Sequence, residues 1–386
     1  MNCNGIDFAS REHVAISFDS TIAGVDHLLA PVTDEVFVAP GFIDLQVNGF
    51  AGVDYNDPET KPDELAKSIR RLFATGVTRF FPTVITGSPE RMSEALRMLA
   101  AARESIPEGH AMEAFHVEGP YISPEDGPRG AHPRRWVRPP DIGEFRRFQQ
   151  AARGHIRLMT LSPEWENAPA FIEQLVNEGV VVSIGHTNAT APQIAEAVRA
   201  GATLSTHIGN GAHATLDRHP NYIWEQLAED RLNASLIVDG IHLGPAFLKV
   251  ALRAKGVERA VLISDAVMPA GCTPGHYKLG EVDVELHADG SVRLLGGTRL
   301  AGSVLSMDRA VENVMRLADM TLRDAVTMAS RNPARVGRIA SRQRGLAPGE
   351  RADLVRFRYN QKVKQVEIIE TYLSGEPVFQ ARTSAG

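Results

Sequence analysis

Six polar side chains able to hold a metal ion or move a proton fall where apolar runs end. Gln46 and Asn48 lie in Phe42-Ile43-Asp44-Leu45-Gln46-Val47-Asn48-Gly49, and Glu118 closes Phe115-His116-Val117-Glu118. His186 follows Val181-Val182-Ser183-Ile184-Gly185, His207 follows Thr203-Leu204-Ser205-Thr206, and Asp265 follows Val261-Leu262-Ile263-Ser264. An acid or a histidine after a β-branched run sits at the mouth of a strand. When several strands end this way their mouths can converge on one point, as at the C-terminal face of a (β/α)8 barrel. The chemistry open to such a set is metal-dependent hydrolysis.

The elements that must position these residues can be read from periodicity. Buried strands are expected over 42–47, 77–84, 112–117, 156–161, 180–184, 202–206, 234–238 and 260–264, with helices between them over 63–74, 89–104, 168–178, 191–200 and 245–255. Several of these helices open on Pro or Ser and close before Gly, as start and stop signals should. Alternation of strand and helix at this count implies an α/β chain folded as a closed parallel (β/α)8 TIM-like barrel. Before it, short alternating stretches from Val14 to Val38, broken by Gly24, Asp26 and Pro31, read as antiparallel strands. After the eighth strand, 277–295 alternates around Ala288-Asp289-Gly290, a hairpin turn signal, so a β-hairpin insertion is expected near 274–298. Helices follow over 306–318 and 321–330, and from Gly345 the texture returns to turns and short strands. The expected organisation is a small β-sandwich domain made by both chain ends, 1–39 and 341–386, beside a catalytic barrel, 40–340.

At 386 residues the chain has room for a barrel of roughly 250 residues plus an attachment. Its net charge of -6 supplies no basic field, so no nucleic-acid partner is expected. Cys3 and Cys272 are too few and too far apart for a disulfide framework, which makes a reducing cytoplasm the default. No apolar run approaches the roughly 20 residues that span a bilayer, and Met1-Asn2-Cys3-Asn4-Gly5 opens no leader-like segment. A soluble, unexported protein without membrane partners is expected.

The pieces Pro40-Gly41-Phe42-Ile43-Asp44, Val117-Glu118-Gly119-Pro120-Tyr121, Gly185-His186-Thr187, Ser205-Thr206-His207, Asp239-Gly240-Ile241-His242, Ser264-Asp265-Ala266 and Leu300-Ala301-Gly302-Ser303 run in order over nearly the whole chain. Together they resemble the N-acetylglucosamine-6-phosphate deacetylase family of the amidohydrolase superfamily. The resemblance implies a metal-dependent barrel that removes acetate from an N-acetylated amino-sugar phosphate in amino-sugar catabolism. Amide hydrolysis needs an activated water, a polarised carbonyl and a proton for the departing amine. Glu118, His186 and His207 are implied as ligands of one divalent ion, a set suited to catalytic zinc, with iron, manganese or cobalt as alternatives. Asp265 matches the family's catalytic acid and base, and His132 a histidine that steadies the oxyanion. Ala131, His132, Asn210, Gly211, Arg218, His242, Leu300, Ala301 and Gly302 are implied as substrate contacts, Arg218 and His242 for the phosphate. In the relatives part of that contact comes across a homodimer interface, so a homodimer is implied.

Gln46 and Asn48 stand where many superfamily members carry a His-x-His pair for a second metal. Amides ligate weakly, so these read as vestigial second-metal positions, with a weakly held second ion left open. A further departure is His207-Ile208-Gly209-Asn210-Gly211-Ala212-His213, where relatives have Asn-Ala-Met after the metal histidine; Arg218 is followed by His219-Pro220-Asn221 in place of Glu-Pro-Gly. His213 and His219 are either added phosphate contacts or signs of an uncharged or differently acylated substrate. Two rival readings stand beside the deacetylase: an amidohydrolase for another N-acyl sugar or related amide, and a non-catalytic ligand-binding barrel.

Overall fold

The structure, a computed structural model, describes residues 1–29 and 35–382. Residues 30–34, with Pro31 that was expected to break a strand, and residues 383–386 lie outside the described residues.

Eight parallel strands form the barrel, in chain order Phe42–Val47, Val77–Ile85, Phe115–Glu118, Ile156–Leu161, Val181–Ile184, Leu204–Ser205, Asn233–Ile237 and Ala260–Ile263. The sheet closes between its first and last members, where the Asp265 N–H donates to the Gln46 carbonyl at 3.0 Å and the Asn48 N–H to the Ala266 carbonyl at 2.7 Å. The first strand is buried along its whole length, as a strand covered on both faces must be. The third begins at Phe115, three residues after the expected start, because Pro107–Ala111 coils into a 3-10 turn and Met112 only bridges to Phe80. The sixth shrinks to Leu204–Ser205 because the backbone turns sharply at His207.

Helices pack outside the strands. Pro62–Phe73 buries Leu65, Ile69, Leu72 and Phe73 on one stripe, the i, i+4, i+7 spacing of a helix lying on a core. Each such fully buried side chain contributes about 1.5–3 kcal/mol of hydrophobic stabilisation. Pro89–Ser105 starts where Ser88 caps the Arg91 N–H. Helices Ile142–Ala151 and Tyr222–Ala228, absent from the expected set, are likewise capped by Asp141 and Asn221.

Both chain ends build the β unit. Its strands Asn2–Asp7, His13–Phe18, Ile22–His27, Val36–Pro40, Leu354–Asn360, Gln365–Leu373 and Glu376–Gln380 form one hydrogen-bonded sheet. That sheet curls over its own apolar face, bringing Phe18 edge-on to Tyr372 with ring centroids 5.4 Å apart. Alternation sorts the side chains: Val38 and Leu354 join Cys3 and Ile16 inside the unit, while Phe37, Ala39, Val355 and Phe357 join the barrel core. Asp353 ties the two together, accepting from Arg79 Nε at 2.8 Å and from Arg342 Nη1 at 2.6 Å. Burial alone would raise its carboxyl pKa, but the Arg342 and Arg79 guanidiniums hold it well below the usual range.

The excursion after the barrel is a three-stranded meander, Gly275–Leu279, Val282–Leu286 and Val292–Leu294, where a single hairpin was expected. A second turn at Gly280-Glu281 joins its first two strands, with Gly280 at φ +57°. Its apolar face packs on Val267 and Ala301 and so borders the mouths of the barrel strands.

Candidate active site

Each acid or histidine at a strand mouth is aimed by the backbone as well as by its strand. His186, His207 and Asp265 have φ of 49°, 28° and 51°, left-handed conformations uncommon for side chains with a Cβ and concentrated at functional sites. Surrounding bonds hold them there: the Ser123 N–H donates to the His186 carbonyl, the His207 N–H to Ser235 Oγ and the Ser303 N–H to the Asp265 carbonyl, at 2.8, 2.8 and 3.0 Å. A polar layer lies beneath. His116 Nε2 is 2.8 Å from Thr160 Oγ1, which in turn meets Thr206 Oγ1 at 2.7 Å. Burial pushes the His116 pKa down to about 4, so this imidazole is neutral and serves the layer as a hydrogen-bonding group.

Glu118, His186 and His207 converge on one point, their ligand atoms all within 4.8 Å of one another and all three residues buried. Glu118 Oε1 is 3.2 Å from His186 Nε2 and 2.9 Å from His207 Nε2. His186 Nδ1 lies 2.8 Å from the Pro128 carbonyl, which can only accept, so Nδ1 carries the proton of the neutral ring and Nε2 presents its lone pair. A lone pair facing a carboxylate oxygen at that distance requires a cation between them, a proton or a metal ion. The imidazole is also cradled by backbone: a Cβ on Gly130 would lie 2.9 Å from His186 Cε1, and one on Gly211 2.6 Å from His186 Nδ1. The donor set, its burial and the tethered second ring nitrogen fit a divalent metal. Burial opposes charge on Glu118, yet with a proton in the gap to each ring the bonds from His186 and His207 outweigh it and hold its carboxyl well below the usual range.

Asp265 is buried beside this cluster. Burial and the nearby Glu118 charge push its pKa up to about 6. Its Oδ1 receives Gln46 Nε2 at 3.0 Å and Asn48 Nδ2 at 2.7 Å. His132 stands 4.0 Å by Nε2 from Glu118 Oε2, with Nδ1 2.8 Å from Thr86 Oγ1 and its ring 4.4 Å from that of His186. Burial, then the neighbouring His186, push its pKa down to about 3, which keeps the ring neutral.

A cleft of about 590 Å³ opens over these groups. Ala131, His132, Asn210, Gly211, His242, Leu300, Ala301 and Gly302 all line it, as does His213 from the altered loop. His242 is oriented by Asp239, 2.6 Å from its Nδ1. Arg218 and His219 are exposed and do not line it. Asn221 caps the helix that follows, its Oδ1 accepting from the Ile223 and Trp224 N–H groups at 3.1 Å. That departure from the family pattern therefore has a local structural role. Sequence reasoning missed Arg299, the one Arg or Lys lining the cleft among the described residues. Its Nη1 donates to the Gly130 carbonyl at 2.9 Å and its Nη2 is 3.7 Å from Asp126. The available signal was its place directly before Leu300-Ala301-Gly302.

Comparison with known proteins places this geometry. The model of the Amidohydrolase family matches residues 37–378. The N-acetylglucosamine-6-phosphate deacetylase of Bacillus subtilis (strain 168) is 34% identical over 82% of this chain and 79% of its own length. The N-acetylgalactosamine-6-phosphate deacetylase of Escherichia coli O157:H7 is 34% identical over 91% of this chain and 92% of its own. Among solved structures, N-acetyl-D-glucosamine-6-phosphate deacetylase from Mycobacterium smegmatis, in complex with N-acetyl-D-glucosamine-6-phosphate, superposes with a TM-score of 0.88 at 30% identity, covering 98% of this chain and 99% of that one.

Proposed function

We propose, for a chain that belongs to the amidohydrolase family, metal-dependent hydrolysis of the N-acetyl group of N-acetylglucosamine 6-phosphate to glucosamine 6-phosphate and acetate. The observation that carries this reading is the convergence of Glu118, His186 and His207 beside Asp265 on the wall of one cleft. Those three residues would hold one divalent ion; a carboxylate with two imidazoles favours zinc, with iron, manganese or cobalt as alternatives. When bound, such an ion supplies the Lewis acidity that makes water nucleophilic near neutral pH and polarises the amide carbonyl.

The remaining chemistry falls to the chain. Asp265 takes a proton from the attacking water as its oxygen bonds to the acetyl carbon, then delivers that proton to the nitrogen as the C–N bond breaks. A carboxylate pushed upward by burial suits both halves of that task near neutrality. His132, neutral and pinned by Thr86, donates to the carbonyl oxygen as charge develops there. At the rim, Arg299 and His242 read the 6-phosphate, since a guanidinium fork matches phosphate oxygens. The exposed Arg218 reaches the phosphate bound by a neighbouring subunit of a homodimer. The unpaired Cys3 and Cys272 suit a reducing cytoplasm.

The Escherichia coli relative supports a second reading, the galactosamine epimer, because it matches this chain at the same identity over a greater length. Acetate release by the metal-replete protein from both epimeric N-acetylhexosamine 6-phosphates tests the two together. A higher kcat/KM on the glucosamine sugar is expected. A higher value on the galactosamine sugar transfers the assignment to the epimer, and no acetate from either rejects deacetylation of these sugars.

A further inference from the structure

We propose that Gln46 and Asn48 are positioning residues for the Asp265 carboxylate, two amide donors clamping one of its oxygens, and are not remnants of a second metal site. This rests on the role given to Asp265 above. Both residues are 2% exposed and both side-chain nitrogens reach the same atom, Asp265 Oδ1, at 3.0 and 2.7 Å. An ionised carboxylate only accepts hydrogen bonds, so each amide turns its NH2 toward Asp265 and its carbonyl oxygen elsewhere. An amide ligates a metal through that oxygen, which here faces away from Asp265, and Asn48 Oδ1 is buried with no hydrogen-bond partner among the described residues, so the zinc stoichiometry decides between clamp and ligand. The Asn48 Nδ2 is held further by the Ala266 carbonyl at 3.3 Å, and its backbone N–H donates to the same carbonyl at 2.7 Å. Gln46 is stitched to the eighth strand in the same way, its carbonyl accepting the Asp265 N–H at 3.0 Å and Ser264 Oγ at 3.3 Å.

The consequence is a choice of oxygen. With Oδ1 receiving two donors, Oδ2 is the basic atom left to take a proton from water and return it to the amine nitrogen. Charge-assisted bonds of this kind are about twice as strong as neutral ones, and fixing the rotation of a catalytic group acts on rate more than on binding. A residue that merely fills the seam between the first and eighth strands would affect folding and show no preference for an N–H donor.

The test uses full-length enzyme and the variants Asn48→Ala, Gln46→Leu, Asn48→Asp and Gln46→Glu, with kinetics at one equivalent of zinc and the stoichiometry titrated to excess zinc. The truncations are expected to lower kcat about 10- to 100-fold with KM within about twofold, the worth of hydrogen bonds to a charged group that orient the reacting carboxylate without touching substrate. The same-shaped acids fall further, because each sets a carboxylate oxygen against Asp265. The reverse order, acids near wild type and truncations worst, overturns the proposal in favour of filling the seam. Wild-type protein binding two zinc ions per subunit, reduced to one in Asn48→Ala, overturns it in favour of ligation. A substrate-free readout separates this inference from the assigned reaction: a urea double-mutant cycle between Asn48→Ala and Asp265→Ala. Coupled effects on the unfolding midpoint support the clamp even if the wild type proves inactive on both sugar phosphates, an outcome that would sink only the proposed reaction. Additive effects overturn the clamp even in an active enzyme.

Discussion

Substituting Gly211 by alanine tests how the loop after the sixth strand serves the metal cluster. Gly211 has φ +57°, and a Cβ there would lie 2.6 Å from His186 Nδ1 and 2.9 Å from Cε1. Restoring the 3.4 Å of an ordinary contact moves the imidazole by about 0.8 Å. The ring cannot move that far and keep its 2.8 Å bond to the Pro128 carbonyl. Two costs follow: the left-handed backbone penalty of about 1–2 kcal/mol, and loss of the bond that fixes the His186 tautomer. Removing such a partner of a ligating histidine typically weakens metal affinity about 10- to 100-fold. Gly154→Ala is the control, since Gly154 has φ +80° with no heavy atom within 4 Å of its built Cβ, so only the backbone penalty applies. Zinc titration against a competing chromophoric chelator, beside urea unfolding, reads both quantities. Gly211→Ala should lose more stability than the control by the worth of the broken bond, about 1 kcal/mol, and only Gly211→Ala should lose zinc affinity. If the two bind zinc within about twofold of each other, the argument that Gly211 shapes the ligand is wrong.

Asp265→Asn should lower kcat about 10²- to 10⁴-fold, the range for removal of a general acid and base, with KM and zinc content unchanged; steady-state kinetics beside metal analysis checks it. Arg299→Ala should raise KM for the 6-phosphorylated sugar about 10- to 100-fold, the worth of a hydrogen bond to a charged group, and leave the unphosphorylated sugar unaffected. Asp353→Asn breaks a buried ion network by one partner and should cost about 3–5 kcal/mol in urea unfolding. The same residue sets a pH dependence. Its folded pKa lies below the unfolded value of about 3.9, so its stabilising contribution is complete above that value and drains away as pH falls toward the folded pKa. Asp353→Asn should therefore lose less stability than wild type between pH 5 and pH 2, on the order of what this single carboxylate contributes.

The barrel was legible because its strands are buried on both faces and read as apolar runs, as in 42–47 and 156–161, where the observed bounds match. His186, His207 and Asp265 stood out for the same reason, each following such a run within a few residues. What escaped depends on contacts distant in sequence. Arg299 received no reading from the sequence, because only folding brings it to Gly130, 169 residues earlier. Likewise no local pattern reveals that Gln46 and Asn48 meet Asp265, more than 200 residues away. Asn221 read as a lost family glycine until its capped helix was seen. The Gly280-Glu281 turn was masked by the alternation continuing on both sides of it, which reads as one strand.

The most direct test of the central claim is acetate release by zinc-loaded protein from N-acetylglucosamine 6-phosphate and from unphosphorylated N-acetylglucosamine, compared as kcat/KM in one experiment and repeated after chelation. The account predicts a preference for the phosphorylated sugar of about 1000-fold, roughly 4 kcal/mol of transition-state binding, lost on chelation and restored by zinc. Equal rates on the two sugars, or acetate release that survives removal of the metal, would contradict it.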